Sequence, residues 1–116
     1  MAKSLPLADG FFMPPEWAPH SACYMHWPHR PDTWRQGAKP ARVAFTEVAK
    51  AISRFEPVVM GVRTDDIESA QQNLQGCPGI SLLEMDSDDS WMRDMGPTFL
   101  VSKPSTGPKD KVSRKL

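Results

Sequence analysis

No stretch of the 116 residues approaches the roughly 20 consecutive apolar residues of a membrane span. The opening Met1-Ala-Lys-Ser-Leu-Pro-Leu-Ala also lacks the apolar core of a secretory signal. Excess charge of one sign is missing too: 14 basic side chains balance 14 acidic ones, which excludes a global electrostatic bias toward nucleic acid. Cys23 and Cys77 are too few for a disulfide framework, and neither has a CxxC partner or metal-ligand spacing. GxGxxG, GxxxxGK and GxSxG patterns are absent, so dinucleotide, P-loop and hydrolase-elbow readings drop out. What remains, at 40% hydrophobic content, is the composition of one ordinary globular domain or a piece of one, with the cytoplasm as its expected setting.

Along the chain, a Pro-rich entry leads to Ala22–Trp27, which reads as a first strand. Pro28, Pro31 and Pro40 then keep the next segment from forming a long helix. From Ala41 to Phe55, Phe45, Val48, Ile52 and Phe55 recur at helical spacing, with charged residues between them, and Glu56-Pro57 ends this amphipathic helix. Val58–Val62 is a short, continuous apolar strand. A second helix is expected from Thr64-Asp65, with Asp65 and Glu68 in capping-box spacing, Ile67, Ala70 and Leu74 on one side, and Gly76 as its stop. Ile80–Met85 and Thr98–Val101 read as further strands. Alternating strands and helices predict an α/β fold with a mostly parallel layer, whose central strands need cover on both faces.

The densest chemistry lies in Asp88-Asp89-Ser90-Trp91-Met92-Arg93-Asp94-Met95-Gly96-Pro97, a turn between two apolar runs at the end of a strand. An aromatic face beside a carboxylate suits a guanidinium, which can stack on the ring and donate paired hydrogen bonds to the acid. The local sequence equally permits a tryptophan packed under a turn, with Arg93 paired to a neighbouring acid. Asp86, Asp88 and Ser90 have the first spacings of a calcium loop, but Trp91 stands where glycine is needed and Pro97 where the bidentate glutamate belongs, excluding an EF-hand. Asp86-Ser-Asp88 alone is a short, common pattern with little weight as a metal site. His26 and His29 flank Trp27-Pro28, and Pro28 rules out the helical geometry that a metal pair prefers, leaving packing or surface roles.

This loop, taken with Met13-Pro14-Pro15-Glu16-Trp17, His20 and Met25-His26-Trp27-Pro28, resembles the agmatine deiminases of the pentein superfamily, which also holds the peptidylarginine deiminases. The resemblance runs from about Phe12 to about Val101. It implies one βαβ-type module, plus an N-terminal segment, of a five-bladed α/β propeller, incomplete in these residues. It also implies residues 1–102 as a partial catalytic domain. Residues 103–116 carry five basic side chains against one acid and read as a mobile basic tail or a truncated loop, which could attract anionic partners.

Carried over residue by residue, the resemblance makes Asp94 the guanidinium-binding carboxylate and Trp91 a wall of the substrate pocket. Arg93 becomes an internal ion-pair partner, while Glu16, Trp17 and His20 become structural. The implied substrate is agmatine, converted with water to N-carbamoylputrescine and ammonia, with no cofactor, metal, nucleic acid or membrane involved. A homo-oligomeric full-length enzyme stays open. The family's nucleophilic cysteine, catalytic histidine and second aspartate lie in later modules, and neither Cys23 nor Cys77 matches the nucleophile's position. The chain alone is therefore expected to be an inactive N-terminal fragment. A peptidylarginine deiminase and a non-catalytic guanidinium-binding module are the alternatives.

Overall fold

In the computed structural model, residues 3–103 are described, together with the backbone of 114–115. The chain divides into two units. Within the first unit, β1 (Phe11–Phe12) pairs antiparallel with β5 (Leu100–Ser102), placing Phe11 opposite Ser102 and Phe12 opposite Val101. β6 (Arg114–Lys115) adds to the other side of β5, again antiparallel. Of the expected tail 103–116, only Lys103 and this strand are described; the rest lies outside the described residues.

The second unit, His20–Gly96, contains β2 (Cys23–His26), α1 (Lys39–Ser53), β3 (Val58–Val62), α2 (Ile67–Leu74), β4 (Ile80–Glu84) and α3 (Met92–Met95). Its sheet is parallel, ordered β2-β3-β4, with Met25, Met60 and Leu82 in one cross-strand row and His26, Gly61 and Leu83 in the next. Because side chains alternate across a strand, the Met60 row and the Gly61 row face opposite ways. Val58, Met60 and Val62 are fully buried with Trp27, Ala49, Ala70 and Leu74, and Met25, Ile52, Ile67, Ile80 and Leu82 pack around them. That is the face covered by helices. The opposite face is barer: Val59 is half-buried and Leu83 stays 47% exposed.

The expected α/β class and parallel layer are present, but four local expectations need correction. The strand foreseen at Thr98–Val101 is displaced to Leu100–Ser102, where it pairs antiparallel with β1. β1, read as part of the Pro-rich entry, had no signal beyond Phe11-Phe12. α1 ends at Ser53, leaving Phe55 in the following turn at 86% exposure, and within the helix the buried positions are Thr46 and Ala49 with Ile52 packed against the core, while Val48 is 49% exposed, so the expected apolar stripe faces inward only in part. The capping box of Asp65 and Glu68 does not form. A 3-10 turn at Thr64–Asp66 precedes α2, and no side chain caps either segment.

The other boundaries follow from local chemistry. Pro40 occupies the first turn of α1, where its missing N–H costs no hydrogen bond. α2 stops as expected at Gly76, whose φ of 74° is the left-handed geometry that glycine adopts at little cost. Arg42 ties both helices to the loop after β2. Its Nε donates to Pro28 O at 2.9 Å and its Nη1 to Ser69 Oγ at 3.2 Å, while its carbon lies 5.8 Å from the centre of the Trp27 ring.

Candidate functional site

Parallel sheets present their loops at the carboxyl ends of the strands, which is where open α/β folds bind ligands. Here the loop after β4 leaves that edge and runs through Met85–Trp91 into α3. Trp91 precedes the first residue of α3, and Asp94 lies within the turn. The Asp94 N–H donates to Trp91 O at 3.0 Å and the Met95 N–H to the same oxygen at 3.1 Å. Trp91 is 68% exposed and Asp94 is exposed as well, so the structure brings the ring and the carboxylate into one turn at the surface. The turn between apolar runs is thus helical, a detail that four residues of Met-Arg-Asp-Met cannot announce by periodicity.

The loop is pinned mainly through its backbone. The Met85 N–H donates to Val62 O at 2.8 Å, continuing the β3–β4 ladder by one residue. His26 Nε2 lies 3.0 Å from Met85 O. Arg63 Nη1 donates to Ser87 O at 3.4 Å and Arg30 Nη1 to Asp88 O at 3.4 Å. Within the loop, Ser87 Oγ stands 2.9 Å from Asp89 O and 3.0 Å from Met95 Sδ, reaching α3 itself. Asp89 Oδ1 accepts from the Ser90 N–H at 2.8 Å. Two of the three acids expected to shape the loop, Asp88 and Asp89, therefore sit within reach of arginines: both raise the Arg30 pKa, which its bond to Asp32 raises most.

Sequence reasoning missed this supporting set. Of the packing or surface roles expected for His26, burial is the one found, since it has no exposed surface, but both ring nitrogens face carbonyls: Nδ1 is 3.0 Å from Trp27 O. His29 meets the His26 ring edge-on at 6.2 Å, and its Nε2 lies 3.3 Å from Arg63 Nη1, a donor. Burial, followed by the Arg63 charge, lowers the His29 pKa. Its Nδ1 is buried without a hydrogen-bond partner. Among the described residues, no three His, Cys, Asp or Glu side chains are grouped to hold a metal ion. A sequence signal for the set existed only in hindsight, in polar residues placed just after strand ends.

The thiols stand elsewhere. Cys23 begins β2 opposite Val58, at the amino-terminal edge of the sheet, and Cys77 lies in the turn before β4. With about 3.3 Å per residue, the five-residue β3 separates those edges by roughly 13 Å. Burial, and secondarily Glu56, raises the Cys23 pKa, the opposite of what a thiolate nucleophile needs. His20, at the same far edge, has Nδ1 3.4 Å from Glu56 Oε2. No helix among the described residues is long and apolar enough to cross a membrane.

Residues 12–113 match the family described as Porphyromonas-type peptidyl-arginine deiminase. The agmatine deiminase of Pseudomonas fluorescens is 53% identical over 100 residues, covering 86% of this chain and 27% of its own length. That of Ectopseudomonas mendocina is 55% identical over 97 residues, covering 84% and 26%. Among solved structures, the agmatine deiminase of Enterococcus faecalis, described as catalysing its reaction, superposes with a TM-score of 0.80 at 43% identity. That match covers 88% of this chain and 27% of the other. The chain spans about a quarter of the length of the curated relatives it matches.

Proposed function

Because the chain belongs to the Porphyromonas-type peptidyl-arginine deiminase family, we propose that it carries the guanidinium-recognising loop of an agmatine deiminase, with Asp94 as the gripping carboxylate and Trp91 as the pocket wall. The observation that carries the reading is their shared, exposed turn at the carboxyl edge of the parallel sheet. A guanidinium laid on the Trp91 ring can donate two parallel N–H bonds to an ionised Asp94, a geometry that a protonated acid could not offer. Agmatine is favoured over a peptidyl-arginine because relatives more than half identical are agmatine deiminases.

In the whole enzyme the proposed reaction is hydrolysis of agmatine to N-carbamoylputrescine and ammonia. A cysteine thiolate forms a C–S bond at the guanidinium carbon, a histidine protonates the departing nitrogen, and ammonia leaves. Water then forms the C–O bond as the C–S bond breaks, giving the ureido product. Neither Cys23 nor Cys77 has the placement for the attack, so the nucleophile and histidine belong to the part of the relatives' length that these residues do not span. Residues 1–102 then form the first module of a five-bladed propeller. A cytoplasmic setting completes the proposal, while the pairing of Arg114–Lys115 with β5 favours a loop over a tail as the reading of 103–116.

The test is an ammonia-release assay on the purified chain with agmatine, beside an NMR titration of the same sample. The expected result is no turnover above a no-protein control, with shifts confined to amides around Trp91 and Asp94. Turnover lost on replacing Cys23 or Cys77 would overturn the nucleophile assignment. Shifts with the same agmatine dependence in Asp94→Asn as in wild type would overturn the site.

A further inference from the structure

We infer that His26 is a positioning residue for the Trp91–Asp94 turn, acting through the carbonyl of Met85 from beneath the sheet edge. The inference rests on the proposed reading of that turn as the guanidinium site, although the positioning itself is a property of the loop and can be measured without ligand.

The argument begins with burial. His26 has no exposed surface, so each polar atom of its ring must find a partner within the protein. Nε2 lies 3.0 Å from Met85 O, 59 residues away along the chain. A ring nitrogen bonds a carbonyl oxygen only when it carries a proton, so a neutral ring can donate to Met85 O or to Trp27 O but not to both, and the inference takes the tautomer with Nε2–H. Met85 is the residue at which the chain leaves β4, and its N–H is already held by Val62 O. With both its N–H and its C=O fixed, the direction in which the loop departs is set at its first residue.

Gly61 makes the arrangement possible. In the cross-strand row it stands between His26 and Leu83, and a Cβ there would lie 2.9 Å from His26 Cδ2 and 3.3 Å from Met85 Sδ. Cδ2 is bonded to Nε2, so any side chain at position 61 would push the ring in the part that reaches Met85. The absent Cβ therefore lets both the imidazole and the thioether lie over β3. α3 lies beside β2, the strand that carries His26.

From Met85 the constraint passes on in two steps. Ser87 Oγ reaches Met95 Sδ in α3 at 3.0 Å, and Ser87 O accepts from Arg63. Arg30 accompanies at Asp88 O. Both arginine contacts are 3.4 Å long, whereas the His26 contact is 3.0 Å and comes from a fully buried ring, which makes the histidine the anchor and the arginines supports.

The experiment compares side chains that reproduce one ring nitrogen each. Glutamine places an amide N–H near Nε2, asparagine places one near Nδ1, and phenylalanine fills the volume with neither. Backbone ¹⁵N order parameters of residues 86–95 are measured in the 116-residue chain for wild type, His26→Gln, His26→Asn and His26→Phe. The wild-type loop is expected to be rigid, at about 0.85, and His26→Gln to stay close to it, while His26→Asn and His26→Phe fall below about 0.6. β3 should remain rigid in all four. Gly61→Ala is expected to loosen the same loop with His26 intact.

A flexible wild-type loop, or equal order in His26→Gln and His26→Asn, would overturn the inference. Should His26→Phe fail to fold, the Gln and Asn pair still decides, since both keep an amide and differ only in which nitrogen they mimic. Agmatine is added in a separate arm. If wild type is ordered but its Trp91 and Asp94 amides do not respond, the guanidinium reading fails and the positioning stands. If they respond while His26→Asn leaves the loop ordered, the site stands and the positioning fails.

Discussion

Arg42 Nη2 stands 2.9 Å from Asp66 Oδ1, an ion pair between α1 and the residue that leads into α2, with both side chains less than a fifth exposed. The same guanidinium also donates to Pro28 O and Ser69 Oγ and stacks over Trp27. Three chain segments are thus joined by one fork of donors, a task that suits arginine and not lysine.

Removing that fork leaves a half-buried carboxylate and a carbonyl without donors, which costs more than an exposed pair but less than a fully buried one. Arg42→Met is expected to lower stability by about 2 kcal/mol, read as a shift in the urea midpoint with unchanged slope. Arg42→Lys should recover less than half, since one ammonium cannot span Pro28 O, Ser69 and Asp66 together. A loss within about 0.5 kcal/mol for Arg42→Met would mean that the fork is ornamental.

His29 gives a pH dependence whose sign follows from its surroundings. Burial and Arg63 lower its folded-state pKa below the ordinary value of about 6.5, so the unfolded chain takes up its proton first. The stability that neutral His29 contributes is present above the unfolded pKa and is lost as pH falls through the folded one. Between pH 7.5 and 5, wild type should therefore lose stability more steeply than His29→Gln, which has nothing to titrate there. Parallel pH profiles for the two proteins would remove His29 as the cause.

Much of the second unit was legible because its strands are short, continuous apolar runs and its helices carry stop residues that act locally, such as Glu56-Pro57 and Gly76. Two kinds of feature were not. In α1, Thr46 and Ala49 are buried while Val48 is 49% exposed, and which side of a helix turns inward is a tertiary effect that spacing alone does not encode. The pairing of Phe11-Phe12 with Leu100–Ser102 joins residues far apart in sequence, and such registers have no local signature. At the candidate site, Trp91 and Asp94 were visible as residue types, and the structure places them in one turn. The buried support beneath them was hidden because His26 and Met85 are 59 residues apart.

The exposed apolar residues predict self-association of the isolated chain. Val48 is exposed on α1 and Phe55 in the turn that follows it, and Leu83 faces away from the helices on the barer side of the sheet. Such surface and an unpaired sheet edge favour aggregation. Light scattering at high concentration should report assemblies in wild type and fewer in Val48→Lys/Phe55→Lys or in Leu83→Lys, whichever face dominates. A wild-type chain that stays monomeric, unfolds cooperatively and ignores a hydrophobic dye would instead be a self-sufficient domain, favouring the non-catalytic binding module.

Asp94→Asn tests the proposed site most directly, and its expected size depends on exposure. In a closed, desolvated pocket, removing one partner of a charge-assisted pair costs on the order of 2–5 kcal/mol. Asp94 and Trp91 are both exposed in the 116-residue chain, where an ion pair contributes about 0.2–1 kcal/mol and a cation–π contact about 0.5–1 kcal/mol. Agmatine affinity in the isolated chain should therefore be weak, falling about two- to fivefold in Asp94→Asn and similarly in Trp91→Ala. Raising the salt to about 1 M, where the screening length is near 3 Å, should weaken wild type toward the Asp94→Asn value and leave Asp94→Asn nearly unmoved. Cys23→Ser should bind as wild type, because that thiol sits at the far edge of the sheet. Equal, salt-independent affinities for wild type and Asp94→Asn would show that agmatine binds somewhere other than this turn.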